Sequence, residues 1–528
     1  MGSPGIRAET LRIFKIVHTW TGLVAGLLLF LAFYAGAITV FREDIAEWQA
    51  MVPHRPTEAA LQDVDPLVAK VVATYPEARR SVMVNLPDGH ESSAEAVWYA
   101  PDGEPSYARR GSDGDLLPGD AAPHRLSVVI DNLHRTAGIP GLAGEVLLGS
   151  IACIYGLALV SGVILYLPAL RRDLFALRAG RNLKLWWQDA HNSIGVLSLP
   201  FHILFALTGA VMSLHDPMLA GMNTLIYGDQ GRPMLMRTAL AIDMPRPRGE
   251  AAPMLPVAEL LAHAREHIPG LTPHHLIYVH PGDRAGFTVL MGDQEGVLGH
   301  TSRVVLSSVT GERLAVEKAS ERPTGMSALS SLAALHFGDY GGSPVAWIYF
   351  CLGMAGAFLF YSGNLLWLEA RRKRRAQSSA WHHQALARLT VGFCLGCCLA
   401  ISVLFVAARV PLIAQGGALL PTFWGSVALA LLWSAMRQPV LGARDLLAAS
   451  AVASACIPLS TAVVAVTGNG GLLLSGVDLA ALGGAVIFAL LARQVACRAR
   501  ETAGGSVWDA PRPAMQGEGD SRPSEQAV

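Results

Sequence analysis

The sequence predicts an all-α polytopic membrane protein of about eight transmembrane helices. Two small α+β domains are inserted, one between helices 1 and 2 and one between helices 3 and 4. Three observations lead there. Of 528 residues, 52% are hydrophobic and only 16% are charged, against roughly a quarter charged in soluble domains. The deficit is concentrated in uncharged stretches of about 20 residues, the length that crosses ~30 Å of hydrocarbon. Two long polar segments separate the first four of these stretches. This pattern excludes a soluble cytoplasmic enzyme, a disordered chain and an outer-membrane barrel, whose strands alternate in short segments. A net charge of zero argues against a nucleic-acid partner.

In order, the predicted spans are 16–41, 144–168, 194–215 and 344–368, followed by four more within 389–492, at 389–410, 418–436, 446–467 and 471–492. The first resembles a signal peptide, with Ala35-Gly36-Ala37 in the manner of a cleavage site. Its apolar run is too long for that, which favours an uncleaved anchor. Lys and Arg then set the sides. Arg7, Arg12 and Lys15 fall in 1–15; Arg171, Arg172, Arg178, Arg181 and Lys184 in 169–193; and Arg371-Arg372-Lys373-Arg374-Arg375 in 369–388. With Arg437 and Arg444 they all share one side, which the positive-inside rule makes cytoplasmic. Both termini, including the 493–528 tail expected to be disordered, are placed there. The segments 42–143 and 216–343 are placed outside. Trp186, Trp187, Trp347 and Trp367 sit at span ends, as an interfacial belt does.

The exported segments contain none of the seven cysteines, so no disulfide framework is expected. Cys394, Cys397 and Cys398 lie in an apolar span and read as small packing residues. Arg409 and Asp478, at the outer ends of spans five and eight, read as an ion pair.

The first 370 residues repeat themselves. His18-Thr-Trp-Thr-Gly22 matches His191-Asn-Ser-Ile-Gly195, and each His is followed eighteen residues on by Gly-Ala, at Gly36-Ala37 and Gly209-Ala210. Leu133-His134 matches Leu335-His336, and the spans that follow carry Ser161-Gly162 and Ser362-Gly363. In the exported segments, a short amphipathic helix beginning at Pro66 or Pro256 precedes β-like runs such as Ser81–Asn85 and Leu276–Val279. The unit is span, exported α+β domain, Leu-His, span. Its two copies have the same topology, so a pseudo-twofold axis runs along the membrane normal.

Five of the seventeen histidines stand out by position. His18 and His191 lie at the cytoplasmic face, His134 and His336 at the outer face, and His202 inside span three. Ionisable residues at membrane depth are costly and point to function. Neutral imidazole is an axial ligand for haem iron, and b-type haem needs no CxxCH attachment, which the chain lacks. Gly22, Gly26, Gly156, Gly162 and Gly195 could open apolar slots beside such ligands. His191 and His202 are eleven residues apart, about 16 Å along one helix face, although Pro200 could kink that helix. Symmetry pairs His18 with His191 and His134 with His336. The alternative gives the outer site to His202 with one of the Leu-His residues. Among weaker clusters, His263 and His267 are spaced i, i+4 and His382-His383 follow the basic run.

At these residues the chain resembles the PepSY-associated transmembrane family, which includes iron-regulated inner-membrane ferric-siderophore reductases. The resemblance covers about residues 10–370 and makes the two exported domains PepSY-like. It implies two b haems held by His18, His134, His191 and His336, with His202 a fifth candidate. It also implies a bacterial inner-membrane location and electron transfer outward to a ferric siderophore or other iron chelate. The chain carries no GxGxxG after a strand and no iron–sulfur CxxC pairs, so a separate electron donor is expected. The last four spans depart from the minimal four-span form.

Overall fold

The computed structural model describes residues 7–501, except 51–56, 87–93, 100–104, 112–113, 119–125, 169–182, 229–245, 295–297, 300, 339, 371–380, 416 and 468–473. The basic run at 371–375, Arg171, Arg172, Arg178 and Arg181, and the tail beyond 501 lie outside the described residues.

Eight of the described helices are long and apolar enough to cross a membrane. The first repeat contains α1 (Ala8–Thr39), α2 (Arg42–Ala50), α3 (Thr57–Thr74), α4 (Leu126–Thr136) and α5 (Leu142–Tyr166). The second contains α6 (Leu183–Leu197), α7 (Leu199–Met222), α8 (Val257–His267), α9 (Thr324–Phe337) and α10 (Gly342–Ala370). The C-terminal unit comprises α11 (Trp381–Ala407), the short α12 (Pro411–Gln415), α13 (Leu419–Met436), α14 (Pro439–Thr467) and α15 (Gly476–Glu501). Helix α11 is the most enclosed of the eight spans. It packs on α1, α10, α13 and α14, and its Cys394, Cys397 and Cys398 are buried against Phe30, Tyr34 and Tyr361. These helices are apolar on all sides, so they rely on neighbours and lipid rather than on one amphipathic stripe.

Span three is two helices rather than one. The chain breaks at Ser198, whose φ of −96° and ψ of 12° leave the helical region. Pro200 in the first turn of α7 explains the break, because it lacks an N–H and its ring crowds the preceding carbonyls. His191 and His202 therefore sit on separate helices and do not share one continuous face.

The two long segments between spans also differ from two separate domains. They form a single eight-stranded antiparallel sheet in the order β4-β3-β2-β1-β5-β6-β7-β8. The first segment supplies β1 (Ser81–Asn85), β2 (Glu95–Tyr99), β3 (Pro105–Arg110) and β4 (Leu116–Pro118). The second supplies β5 (Thr272–Val279), β6 (Phe287–Asp293), β7 (Thr301–Ser307) and β8 (Arg313–Glu317). Each is a meander, and the two meet first strand to first strand, from Ser81 opposite Val279 to Asn85 opposite His275. Alternation buries Val82 and Val84 of β1 with Leu276 and Tyr278 of β5 under α3 and α8, against Leu67, Val71, Leu260 and Ala264. Each fully buried Leu there stabilises the domain by about 1.5–3 kcal/mol.

Helices α4 and α9 lead from the sheet to spans two and four. Both end on a left-handed turn, at Gly138 (φ 72°) and Gly338 (φ 71°). That conformation suits glycine and turns each Leu-His helix back toward the membrane.

Candidate functional site

Four of the five singled-out histidines form two pairs. The rings of His18 on α1 and His191 on α6 lie 6.3 Å apart between centres, with their planes at 78°. Those of His134 on α4 and His336 on α9 lie 6.0 Å apart at 38°. The second pair is on the sheet side of the helices; the first is toward the opposite end. His134 touches Ala32 of α1, fourteen residues along from His18, so the pairs are about 21 Å apart along that helix.

The far pair sits in duplicated sockets. His18 Nδ1 lies 2.9 Å from the Ala158 carbonyl oxygen and 3.4 Å from Ser161 Oγ. A Cβ added to Gly162 would come 3.0 Å from the His18 ring. In the second repeat, His191 Nδ1 lies 3.2 Å from the Leu359 carbonyl oxygen and 3.3 Å from Ser362 Oγ. A Cβ on Gly363 would come 3.2 Å from its ring. The repeated Ser-Gly dipeptide is thus the seat of a histidine. The serine hydroxyl donates to the same carbonyl one turn back that the histidine meets, and the glycine leaves room for the ring.

The sheet-side pair is held by unlike supports. His134 Nδ1 lies 2.8 Å from the Ala32 carbonyl oxygen, and its ring lies against Gly36, where a Cβ would come within 2.6 Å. His336 Nδ1 lies 2.7 Å from Thr208 Oγ1, and its ring contacts Phe205 at 4.7 Å between centres. Burial, and then the neighbouring His134, pull the His336 pKa down to about 3, so this imidazole is neutral at ordinary pH.

These contacts fix the tautomers. A carbonyl oxygen only accepts, so Nδ1 of His18, His134 and His191 carries the proton. Thr208 spends its own hydrogen on the Leu204 carbonyl and therefore accepts from His336. In all four rings Nδ1 is anchored and no hydrogen bond is made by Nε2 among the described residues, the arrangement in which a neutral histidine offers Nε2 to a metal. Two metal–imidazole bonds of about 2 Å, plus the ring radii, span roughly 6 Å between centres, close to both separations. Beside Gly22 and Gly156, no atom lies within 4 Å of an added Cβ. Four paired imidazoles in an apolar setting thus fit haem. Of the five glycines expected to make slots, only Gly162 touches a histidine. Gly26 faces Asn364 and Gly195 faces Leu359, whereas Gly36 and Gly363 supply the other close approaches.

His202 follows different chemistry. It is fully buried, with Tyr155 Oη 2.6 Å from Nδ1 and Ser198 Oγ 2.9 Å from Nε2. Ser198 donates its hydrogen to the Ile194 carbonyl, so Nε2–H donates to Ser198 and Nδ1 accepts from Tyr155. Both nitrogens are occupied. Phe33, Phe201 and Tyr155 surround the ring. Sequence reasoning found this histidine but not its partners, since Tyr155 is 47 residues away on another helix. Of the weaker clusters, His263 lies near Glu266, and His383 stacks on Trp367.

The PepSY-associated TM region matches residues 16–370, which takes in both repeats and all five histidines. The chain belongs to the PepSY-associated TM family. A relative within reach by sequence is Uncharacterized protein PA4219 of Pseudomonas aeruginosa, 28% identical over 295 residues, 53% of this chain and 71% of that one. The family match ends at the close of α10. The four spans of α11, α13, α14 and α15 therefore lie outside the PepSY-associated TM region.

Proposed function

We propose that the protein is a b-type di-haem electron carrier of the bacterial inner membrane that reduces a ferric chelate, such as a ferric siderophore, in the periplasm. The observation that carries this reading is the set of four Nδ1-anchored histidines, in two pairs about 21 Å apart along α1. His18 with His191, and His134 with His336, would each hold one haem. Haem iron held there would supply one-electron transfer. His202 is assigned a structural role, because its two nitrogens are spent on Tyr155 and Ser198.

The protein's own groups do the rest. The carbonyls of Ala158, Leu359 and Ala32, and the Thr208 hydroxyl, hold each Nδ1 proton and orient each ring. The apolar helices around the rings exclude water. In this reading the sheet faces the periplasm, both termini are cytoplasmic, and a separate donor delivers electrons to the far side. Hard oxygen ligands favour Fe(III), so adding one electron to give Fe(II) loosens the chelate and frees the iron.

The test is optical. Protein purified from haem-replete cells is expected to be red, with a Soret band that shifts and sharpens on dithionite reduction, and ferric chelate is expected to reoxidise it. A colourless preparation overturns the haem reading. A red protein that no ferric chelate reoxidises overturns the substrate.

A further inference from the structure

The four C-terminal spans have no counterpart in the repeat, yet a chain of polar contacts runs from them to the start of α4, the helix that carries His134. Asp478 on α15 is fully buried. Its Oδ1 accepts from Trp48 Nε1 of α2 at 3.0 Å and from Thr461 of α14 at 2.8 Å, while Oδ2 accepts from the Ser475 N–H and hydroxyl. Arg409, just past the end of α11, lays its guanidinium 3.8 Å over the Trp48 ring. It donates to Thr461 Oγ1 at 3.4 Å and to the Gln49 carbonyl at 3.2 Å. The expected Arg409–Asp478 pair is therefore joined through Thr461 and Trp48. Gln49 carries the chain onward, for its side-chain oxygen accepts the Leu126 N–H at 2.8 Å. Leu126 is the first residue of α4, so Gln49 satisfies a backbone donor that a helix start leaves unpaired. Eight residues on, the same helix carries His134.

A carboxylate buried this far is costly unless fully engaged, and both it and the half-buried Arg409 reach consecutive residues of α2, Asp478 through Trp48 and Arg409 through Trp48 and Gln49. The apolar contacts agree. Leu420 of α13 lies against Gly138, where α4 ends, and Trp48, Leu126, Ile130 and Leu133 share one core with Phe405 and Phe423. Among the described residues the second repeat has nothing equivalent. The segment after α7, at Asn223–Tyr227, exposes Leu225 and Ile226, and α9 packs on α7 instead.

We propose that the C-terminal unit is a positioning device for His134. The relay Asp478–Trp48/Thr461–Arg409–Gln49 fixes the start of α4 and so sets where the His134 ring stands relative to His336. This rests on the haem reading for its consequence, although the relay itself does not need haem. A buried network that links distant elements is the physical form such coupling takes.

The experiment uses the full-length protein in detergent, with Q49A removing only the α4 cap, D478N removing the buried charge, and Q49E keeping an acceptor. Hydrogen–deuterium exchange is read over 126–136 and 324–337. Q49A and D478N are expected to speed exchange in 126–136 about tenfold, to leave 324–337 unchanged, and Q49E to restore protection. In haem-loaded protein, the same variants shift the low-spin EPR signal that H134A abolishes and leave the one that H18A abolishes. Unchanged exchange in 126–136, or an equal rise in both helices, overturns the relay. Faster exchange with an unmoved sheet-side signal overturns the positioning of His134. A colourless wild type refutes the haem reading alone, and the exchange arm still decides the relay.

Discussion

The two histidine pairs come from one duplication but are supported differently. The far pair is symmetric, with each ring hydrogen-bonded to a carbonyl three residues before a Ser-Gly dipeptide and seated on that glycine. The sheet-side pair is not. His134 has a main-chain acceptor, a glycine seat and a helix braced by the C-terminal unit, whereas His336 has a threonine hydroxyl and a phenylalanine face. A site built twice from the same parts gives two equivalent ligands. A site that later elements reached on one side gives two ligands of unequal rigidity.

The most direct way to break this comparison is to delete a ligand. His18→Ala and His191→Ala are each expected to remove about half of the bound haem, measured as haem per protein by pyridine haemochrome. Full occupancy in both variants would remove the far pair from consideration. Next come the glycine seats, where the approach distances set the order. Gly36→Ala puts a methyl group 2.6 Å from the His134 ring and is expected to empty the sheet-side site. Gly162→Ala and Gly363→Ala, at 3.0 and 3.2 Å, are expected to distort the far site with a smaller loss. The reverse order of haem content would contradict the socket geometry.

His202→Ala separates structure from ligation. It strands Tyr155 and Ser198 and opens a cavity, at a cost of about 2–4 kcal/mol, read as a lower denaturation midpoint. Haem stoichiometry in the folded fraction should not change, and loss of one haem would restore His202 as a ligand. The smallest effect distinguishes the two kinds of support. Thr208→Val removes the acceptor of His336 and is expected to shift the midpoint potential of the sheet-side site. Ser362→Ala leaves the Leu359 carbonyl to His191 and is expected to move the far site much less. Equal shifts would show that hydroxyl and carbonyl supports do not differ.

Much of this was legible in the sequence because it is periodic. The eight spans show as long uncharged stretches, the His-x3-Gly starts, the Leu-His pairs and the Ser-Gly dipeptides each occur twice in the first 370 residues, and strands Ser81–Asn85 and Leu276–Val279 alternate cleanly. The pairing by symmetry follows from the same offsets. What the sequence could not show depends on contacts between segments far apart along it. The seam between β1 and β5 joins residues nearly 200 positions apart, and no local pattern distinguishes one sheet of eight strands from two of four. Trp48 meets Asp478 across 430 positions. The break at Ser198 was half visible, since Pro200 signalled it, but the hydrogen bond that His202 Nδ1 makes to Tyr155 comes from another helix.

The seam itself has one more consequence. Five residue pairs hold β1 to β5 through backbone hydrogen bonds, and in a strand pair a slip of one residue turns every side chain to the opposite face. Val82, Val84, Leu276 and Tyr278 could not tolerate that. The two repeats are therefore geared like teeth on a rack, engaged or disengaged with no intermediate setting. Thermal sliding between the halves has no soft mode at this joint, and both Leu-His helices hang from the same rack.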